Sequence, residues 1–438
     1  MDLQITPLTT NLKGEITAPG SKSYSHRAFI AASLADGISV IKNPLAIGDV
    51  EITIKNLKAL GVKIFKSSDK SFVIKSDKTI FESVKKPLDC RNSGTTFRIF
   101  SALSLLIKGG LELKGEFLER ERPILPLLDA LKIIGAKFEI TKKKIKIQTD
   151  QIICNKIKIP GDISSQFITA LLFVCPLLKC EDKDFFEIEL TTPLVSGPYV
   201  KITIDVLSTF GIHIQGDLEK GKFFVTNEQN YRAQSYEIPG DFSSSAFIIA
   251  AAVLSPKPSN VIINNLSMQN YQGDSKIIEI LKEMGANIKF NESKKQIVVS
   301  GDIAQNPLKG LNIDCNDIPD LFPILAVIGA FAKGETVLYN AGNLRLKESD
   351  RISAMARELT KMGVSVKEEE DKLTIYYCER LQGALIDHGY DHRVAMACTI
   401  AALYAKTNSQ IKNIDIVKDS YPSFLEDLQK LDVKIDTR

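Results

Sequence analysis

The sequence predicts an α/β protein made of six βαβαββ-like repeats. Two observations carry this. A turn rich in Gly, Ser, Asn or Asp, a small-residue apolar helix and a hydrophobic strand recur along the chain. The copies also end alike, at Leu60-Gly61-Val62, Ile134-Gly135-Ala136, Phe210-Gly211-Ile212, Met284-Gly285-Ala286, Met362-Gly363-Val364 and Leu431-Asp432-Val433. Each of these closes an amphipathic helix and opens a strand. Their spacing of roughly 70–80 residues exceeds solenoid periods, so each copy is large enough to hold its own partial core.

The first copy shows the elements in order. Gly14-Glu15-Ile16-Thr17-Ala18 alternates as a strand does and breaks at Pro19-Gly20. A helix follows from about Ser23 through Leu34, with Ala28, Ala31 and Ala32 permitting close packing, and Ala35-Asp36-Gly37 ends it. A strand over Ile38–Ile41, a helix over Ile52–Leu60, Gly61 as its C′ residue and a further strand complete the unit. Later copies repeat the order with insertions. The apolar runs Phe167–Leu178 and Phe247–Leu254 are too short to span a bilayer and read as buried helices. No Pro/Gly/Ser-rich linker separates domains, and six copies divide most simply into two bodies of three.

Bulk properties exclude several classes. At 438 residues the chain exceeds one ordinary domain. A net charge of +3 with interleaved signs does not describe a nucleic-acid surface. The run Lys142-Lys143-Lys144 reads as a solvated strand face. Seven cysteines without a C-x-x-C pair predict small core residues (Cys154, Cys175, Cys398) and no disulfide framework, as in a reducing cytosol. The polar–apolar start Met1–Thr6 is no signal peptide, so a cytoplasmic protein without a membrane segment is expected. Neither a P-loop nor a dinucleotide fingerprint occurs, and the four histidines lack metal-ligand spacing.

What remains points to anions. Several copies begin with a short polar turn: Pro19-Gly20-Ser21-Lys22, Cys90-Arg91-Asn92-Ser93-Gly94, Pro160-Gly161-Asp162 and Pro239-Gly240-Asp241. A polar turn that opens a helix leaves backbone N–H groups free to bind anions. Lys22 and Arg27 stand near such a start, where the helix dipole disfavours cations, and a bound phosphate or carboxylate would account for them. Gly94 lets a ligand approach the backbone, while Ser164-Ser165-Gln166 offers hydroxyls and an amide. Ser243-Ser244-Ser245 reads as an inherited copy without a role. The densest charged stretch is Asn343–Arg351, where a helix would put Lys347 and Arg351 on one face beside Glu348. A carboxylate there can move protons for a bound substrate. Glu121-Arg122-Pro123, Asp320 and Asp391-His392-Arg393 add candidates.

These residues match a known pattern. Pro19-Gly20-Ser21-Lys22-Ser23, Asn92-Ser93-Gly94-Thr95-Thr96, Glu121-Arg122-Pro123-Ile124, Ser164-Ser165-Gln166-Phe167, Ser196-Gly197-Pro198-Tyr199, Leu346–Arg351 and Asp391-His392-Arg393 stand in the order of one family. The chain resembles, nearly end to end, the EPSP synthase (3-phosphoshikimate 1-carboxyvinyltransferase) family of enolpyruvyl transferases. The resemblance implies a two-domain, inside-out α/β barrel-like fold with three βαβαββ repeats per domain, closing on substrate between them. It puts residues 1–19 with 239–438 on the phosphoenolpyruvate side and 20–238 on the shikimate 3-phosphate side. It implies transfer of the enolpyruvyl group of phosphoenolpyruvate to the 5-hydroxyl of shikimate 3-phosphate through a tetrahedral intermediate. No metal, cofactor, nucleic acid or membrane takes part, and a monomer is implied.

By matching position, Ser23, Arg27, Ser164, Ser165, Gln166, Ser196, Asn343 and Lys347 resemble shikimate 3-phosphate contacts. Gly94, Arg122, Gln166, Arg351 and Arg393 resemble the phosphoenolpyruvate site, with Lys22 between the substrates. Asp320 resembles the base for the 5-hydroxyl and Glu348 the acid for the methylene carbon, with Lys22 the third catalytic candidate. Two positions depart from the family. Asp419 stands where the family usually has a Lys, and Lys418 next to it is the expected replacement at the phosphoenolpyruvate end. Ile99 stands where a Pro is frequent, which bears against sensitivity to glyphosate, whereas the unchanged Gly94 argues for it. The sister transferase acting on UDP-N-acetylglucosamine would have Asn in place of Ser23 and a Cys within Leu111–Arg122, and neither is present. A homologue that binds shikimate 3-phosphate without turnover is the remaining rival.

Overall fold

A computed structural model describes all residues except 68–69, 78–83, 85, 181–182 and 438. The chain splits into two compact units, Met1–Pro19 with Pro239–Arg438, and Gly20–Ile238. Among the described residues each unit contains three four-stranded sheets of mixed direction. Every sheet has the same plan: one parallel pair, then two antiparallel steps. In the second unit, Lys156–Ile159 pairs parallel with Phe185–Leu190, which pairs antiparallel with Lys222–Thr226, which pairs antiparallel with Gln215–Asp217. A parallel pair needs a crossover, and the helix Ser165–Val174 supplies it.

Two strands change places in this plan. Lys13–Thr17 pairs parallel with Asn260–Asn264 in the first unit, and Ser235–Glu237 with Gly37–Lys42 in the second. The helix that follows each of them belongs to the other unit, so the chain passes between units at Pro19/Gly20 and Ile238/Pro239. The sixth sheet is completed by both termini: Leu3–Ile5 pairs with Ser409–Ile411 on one side and Ile435–Thr437 on the other.

Each repeat has one buried and one amphipathic helix. The buried set is Lys22–Leu34, Gly94–Leu103 and Ser165–Val174 in the second unit, and Phe242–Val253, Phe322–Phe331 and His392–Leu403 in the first. Every residue of Phe242–Val253 and His392–Leu403 is buried, as their Ala-rich, charge-poor sequences require. Each unit encloses its own apolar cluster around its three helices. The amphipathic helices end on a residue with positive φ at each recurring Gly, for example Gly61 at 94° and Gly285 at 107°. Val62 N–H reaches back to Leu57 C=O at 3.2 Å, the Schellman closure that glycine admits without strain. In the sixth copy Asp432 takes this conformation at φ 66°. Among the described residues no helix is long and apolar enough to cross a membrane.

Three expectations need correction. Cys154 and Cys180 form a disulfide with Cα atoms 5.6 Å apart. They lie 26 residues apart without a spacing motif; parallel pairing of the strands that follow them brings them together. Lys142 and Lys143 lie in the hairpin turn between Ala136–Ile140 and Lys144–Thr149, so only Lys144 belongs to a strand. Lys347 does not share a helix with Arg351: Asp350 caps that helix by accepting the Ser353 N–H, and the helix begins at Arg351.

Candidate functional site

In the second unit the helix starts carry cations. Lys22, the first residue of its helix, ion-pairs with Asp49 at 3.6 Å. One turn on, Arg27 is 2% exposed. Its guanidinium donates to Thr203 Oγ1 (2.8 Å), Thr169 Oγ1 (3.3 Å) and the carbonyls of Ser23 (2.9 Å) and Tyr199 (3.2 Å). All four acceptors are neutral. Burial pulls its pKa down to about 10, and among the described residues no carboxylate is bonded to this buried positive charge. That arrangement is costly unless an anion completes it.

The Gly94 start holds two more guanidiniums. Ser93 caps the helix by accepting the Thr96 N–H, and a Cβ on Gly94 would stand 3.0 Å from Arg122 Nη2 and 3.1 Å from Arg98 Nη1. Arg122 donates to Asn92 C=O at 2.7 Å and lies over the Phe117 ring. Arg98 donates to Pro123 C=O through Nη2 (2.8 Å) and to Gln166 Oε1 through Nη1 (2.5 Å), and lies over both Phe117 and Phe167. Gln166 Nε2 donates in turn to Thr95 Oγ1 at 3.0 Å. Gly94, Arg122 and Gln166 are therefore one cluster, and Arg98 is the residue that sequence reasoning missed. Its signal was available: it sits one turn after Gly94 on the same helix face.

The neighbouring helix starts add hydroxyls. Ser164 caps its helix through the Gln166 N–H, and Ser165 is 5% exposed. Ser196 takes left-handed backbone, φ 56°, at the start of Gly197–Thr209. Its Oγ is buried with no hydrogen-bond partner among the described residues. Buried hydroxyls are normally satisfied, so this one is open for a ligand.

The first unit concentrates charge around Arg351. This side chain is 1% exposed and donates to Asp391 Oδ2 (2.9 Å), Asp320 Oδ1 (2.8 Å) and Glu348 Oε2 (3.1 Å). Burial alone would lower its pKa, but Asp391, Asp320 and Glu348 hold it well above the ordinary arginine value. Arg393 donates through Nη2 to the other Asp320 oxygen at 3.1 Å. Asp320 thus bridges two buried guanidiniums, while Asp391 also caps the Arg393 helix. The carboxylates supply the negative charge that lets these cations coexist. Asn343 is 7% exposed, and neither end of its amide has a partner among the described residues. Lys347 lies beside this cluster in sequence but outside the helix. Lys418 is 55% exposed and reaches Asp415 at 2.7 Å in a surface pair.

The chain as a whole is similar to known proteins of one family. A model of the EPSP synthase (3-phosphoshikimate 1-carboxyvinyltransferase) family matches residues 7–428. The chain belongs to this family. The 3-phosphoshikimate 1-carboxyvinyltransferase of Methanococcus maripaludis strain C7 is 41% identical, covering 98% of each chain. That of Methanocaldococcus jannaschii is 41% identical over 100% of each. Among solved structures, EPSP synthase from Acinetobacter baumannii superposes with a TM-score of 0.81 at 25% identity, covering 99% of both chains. The two-domain inside-out α/β fold of the family is thus the fold of this chain, and the chain is an enolpyruvyl transferase by family.

Proposed function

We propose that the protein transfers the enolpyruvyl group of phosphoenolpyruvate to the 5-hydroxyl of shikimate 3-phosphate, releasing phosphate, and that the residues of both units serve this one reaction. The observation that carries the mechanism is Asp320 held between Arg351 and Arg393 with Glu348 on the same guanidinium. The phosphate and carboxylate of phosphoenolpyruvate compete for those arginines and for Arg122 beside Gly94. As the guanidiniums turn to the substrate, Asp320 loses its strongest hydrogen bonds and becomes the better base. It takes the 5-hydroxyl proton while the oxygen attacks C2 and Glu348 protonates the C3 methylene. Reversal at C3, loss of a methyl proton as the C2–O bond to phosphate breaks, gives the enol ether and inorganic phosphate. One carboxyl can serve both proton transfers at C3.

Shikimate 3-phosphate takes Arg27, Ser23, Ser164, Ser165, Gln166, Ser196, Asn343 and Lys347 in this reading. The buried charge of Arg27 and the open polar groups of Ser196 and Asn343 support it. Lys22 lies between the substrates, and Lys418 is left out. We infer a cytoplasmic monomer. Replacing Asp320 by Asn should lower kcat by about 10²–10⁴-fold with both substrates still bound, as loss of a general base does. Near-normal turnover in D320N would remove Asp320 from the role.

A further inference from the structure

Asp274 is a buried carboxyl that the mechanism above does not use. It sits on the 3-10 turn Gly273–Lys276 and is 2% exposed. Ser243 Oγ donates to its Oδ2, and Oδ1 has no hydrogen-bond partner among the described residues. The turn is fastened to the start of the helix Phe242–Val253 by Gln272, whose Nε2 donates to Gly240 C=O (2.8 Å) and whose Oε1 accepts the Phe242 N–H (3.0 Å). That helix packs against Phe322–Phe331 and His392–Leu403, which bring Asp320 and Arg393. The Ser243 helix start, which sequence reasoning set aside as idle, therefore holds an acid next to the anion site.

The charges around it are unbalanced. Asp241 faces it from the start of the Phe242 helix, Asp320 from the segment before Phe322, and Arg393 from the His392 helix. Lys276 on its own turn is directed to Asp317 at 4.0 Å. Ionised Asp274 would be a third carboxylate beside Asp241 and Asp320, facing an Arg393 guanidinium that is already bonded to Asp320, while Arg351 is engaged on the other Asp320 oxygen. Burial first, then Asp320, push its pKa up to about 7, while the Ser243 bond and Arg393 pull it down. A carboxyl so placed carries a proton over part of the neutral range.

We propose that Asp274 is a positioning residue that tunes phosphoenolpyruvate binding to pH: as a neutral acid it leaves Arg393 to the substrate anion, and as a carboxylate it competes for Arg393 and repels that anion. This rests on the reading of Arg393 as part of the phosphoenolpyruvate site. By linkage, binding the anion raises the proton affinity of Asp274, so the substrate is taken up with a proton.

The test is kcat/KM for phosphoenolpyruvate at saturating shikimate 3-phosphate from pH 6 to pH 8, in the wild type, D274N and S243A. The protonated fraction of a group titrating near 7 falls about tenfold over that range. The wild-type ratio between pH 6 and pH 8 should exceed that of D274N by several-fold, up to about tenfold. S243A should move the limb to higher pH, because it removes a bond that favours the carboxylate. A folded, active D274N with the wild-type profile would overturn the proposal. Proton uptake on phosphoenolpyruvate binding, measured calorimetrically in buffers of different ionisation enthalpy, separates the two readings. Uptake lost in D274N supports Asp274 even if phosphate release were absent, and uptake unchanged in D274N refutes it. If D274N does not fold, an unshifted limb in S243A is the refuting result.

Discussion

Gly94→Ala should weaken phosphoenolpyruvate binding while leaving the fold as stable as before, or more so. The added Cβ would stand 3.0 Å from Arg122 Nη2, 3.1 Å from Arg98 Nη1 and 3.2 Å from Arg122 Cζ. Comfortable separations are about 3.5–4.0 Å, so the guanidiniums must retreat by roughly half an ångström. Arg122 resists this, because Asn92 C=O holds it at 2.7 Å and it is stacked on Phe117. Arg98 resists through Pro123 and Gln166. A hydrogen bond to a charged group contributes about 1.5–3 kcal/mol, and partial loss of one such bond to the substrate corresponds to about 1.4 kcal/mol. That is about tenfold in affinity. The backbone itself gains: Gly94 is not among the glycines with positive φ, and Ala in a compatible helical conformation stabilises by about 0.4–1 kcal/mol. Steady-state kinetics should show KM for phosphoenolpyruvate raised about tenfold with kcat and KM for shikimate 3-phosphate within about twofold, the mark of lost uniform binding. Thermal unfolding should show an unchanged or higher Tm. An unchanged KM for phosphoenolpyruvate would refute the crowding argument, and a fall in Tm would show that the strain outweighs the backbone gain.

Other predictions follow from the same contacts. Asp391→Ala strips the fully buried partner of Arg351 and the cap of the His392–Leu403 helix, and should cost about 3–5 kcal/mol in chemical denaturation; Asp391→Asn, which can still cap, should cost less. Asp432→Gly should raise stability by about 0.5–1 kcal/mol, because the other five copies place Gly in the conformation that Asp432 adopts at φ 66°. Asp274, raised from 3.8 to about 7 by burial first, destabilises the folded protein once the unfolded chain can ionise. Stability should therefore decline as pH rises from about 4 to about 7 and level off above, and D274N should remove that component of the pH profile.

The parts of the fold legible in the sequence are those set by local chemistry. The recurring Gly after each amphipathic helix marked real helix ends, because only a residue tolerant of positive φ completes that turn. The charge-poor runs marked the buried helices. Pairing between distant segments left no local trace. Nothing near Lys13–Thr17 says that it pairs with Asn260–Asn264 rather than with its own neighbours. The same holds for Cys154 and Cys180. In the site, Arg27, Gly94, Arg351 and Arg393 stood out as charges or glycines at helix starts. Arg98 was legible as a cation one turn after Gly94, but its part was not, since that depends on Gln166, brought to it by another helix. Lys347 was put on a helix because spacing alone cannot show that Asp350 caps the next one. Lys418 was assigned by adjacency to Asp419, and the contact that its own neighbourhood adds is an exposed pair with Asp415. Asp274 carried no signal, because a lone Asp after Gly273 looks like any turn.

The most direct measurement is inorganic phosphate release from phosphoenolpyruvate by the purified protein, with and without shikimate 3-phosphate and with no metal added. Release that requires shikimate 3-phosphate, with stoichiometric enolpyruvyl product, is the predicted result and shows that Asp419 is compatible with turnover. Binding of shikimate 3-phosphate without phosphate release would contradict the account and leave a binding protein in place of a transferase.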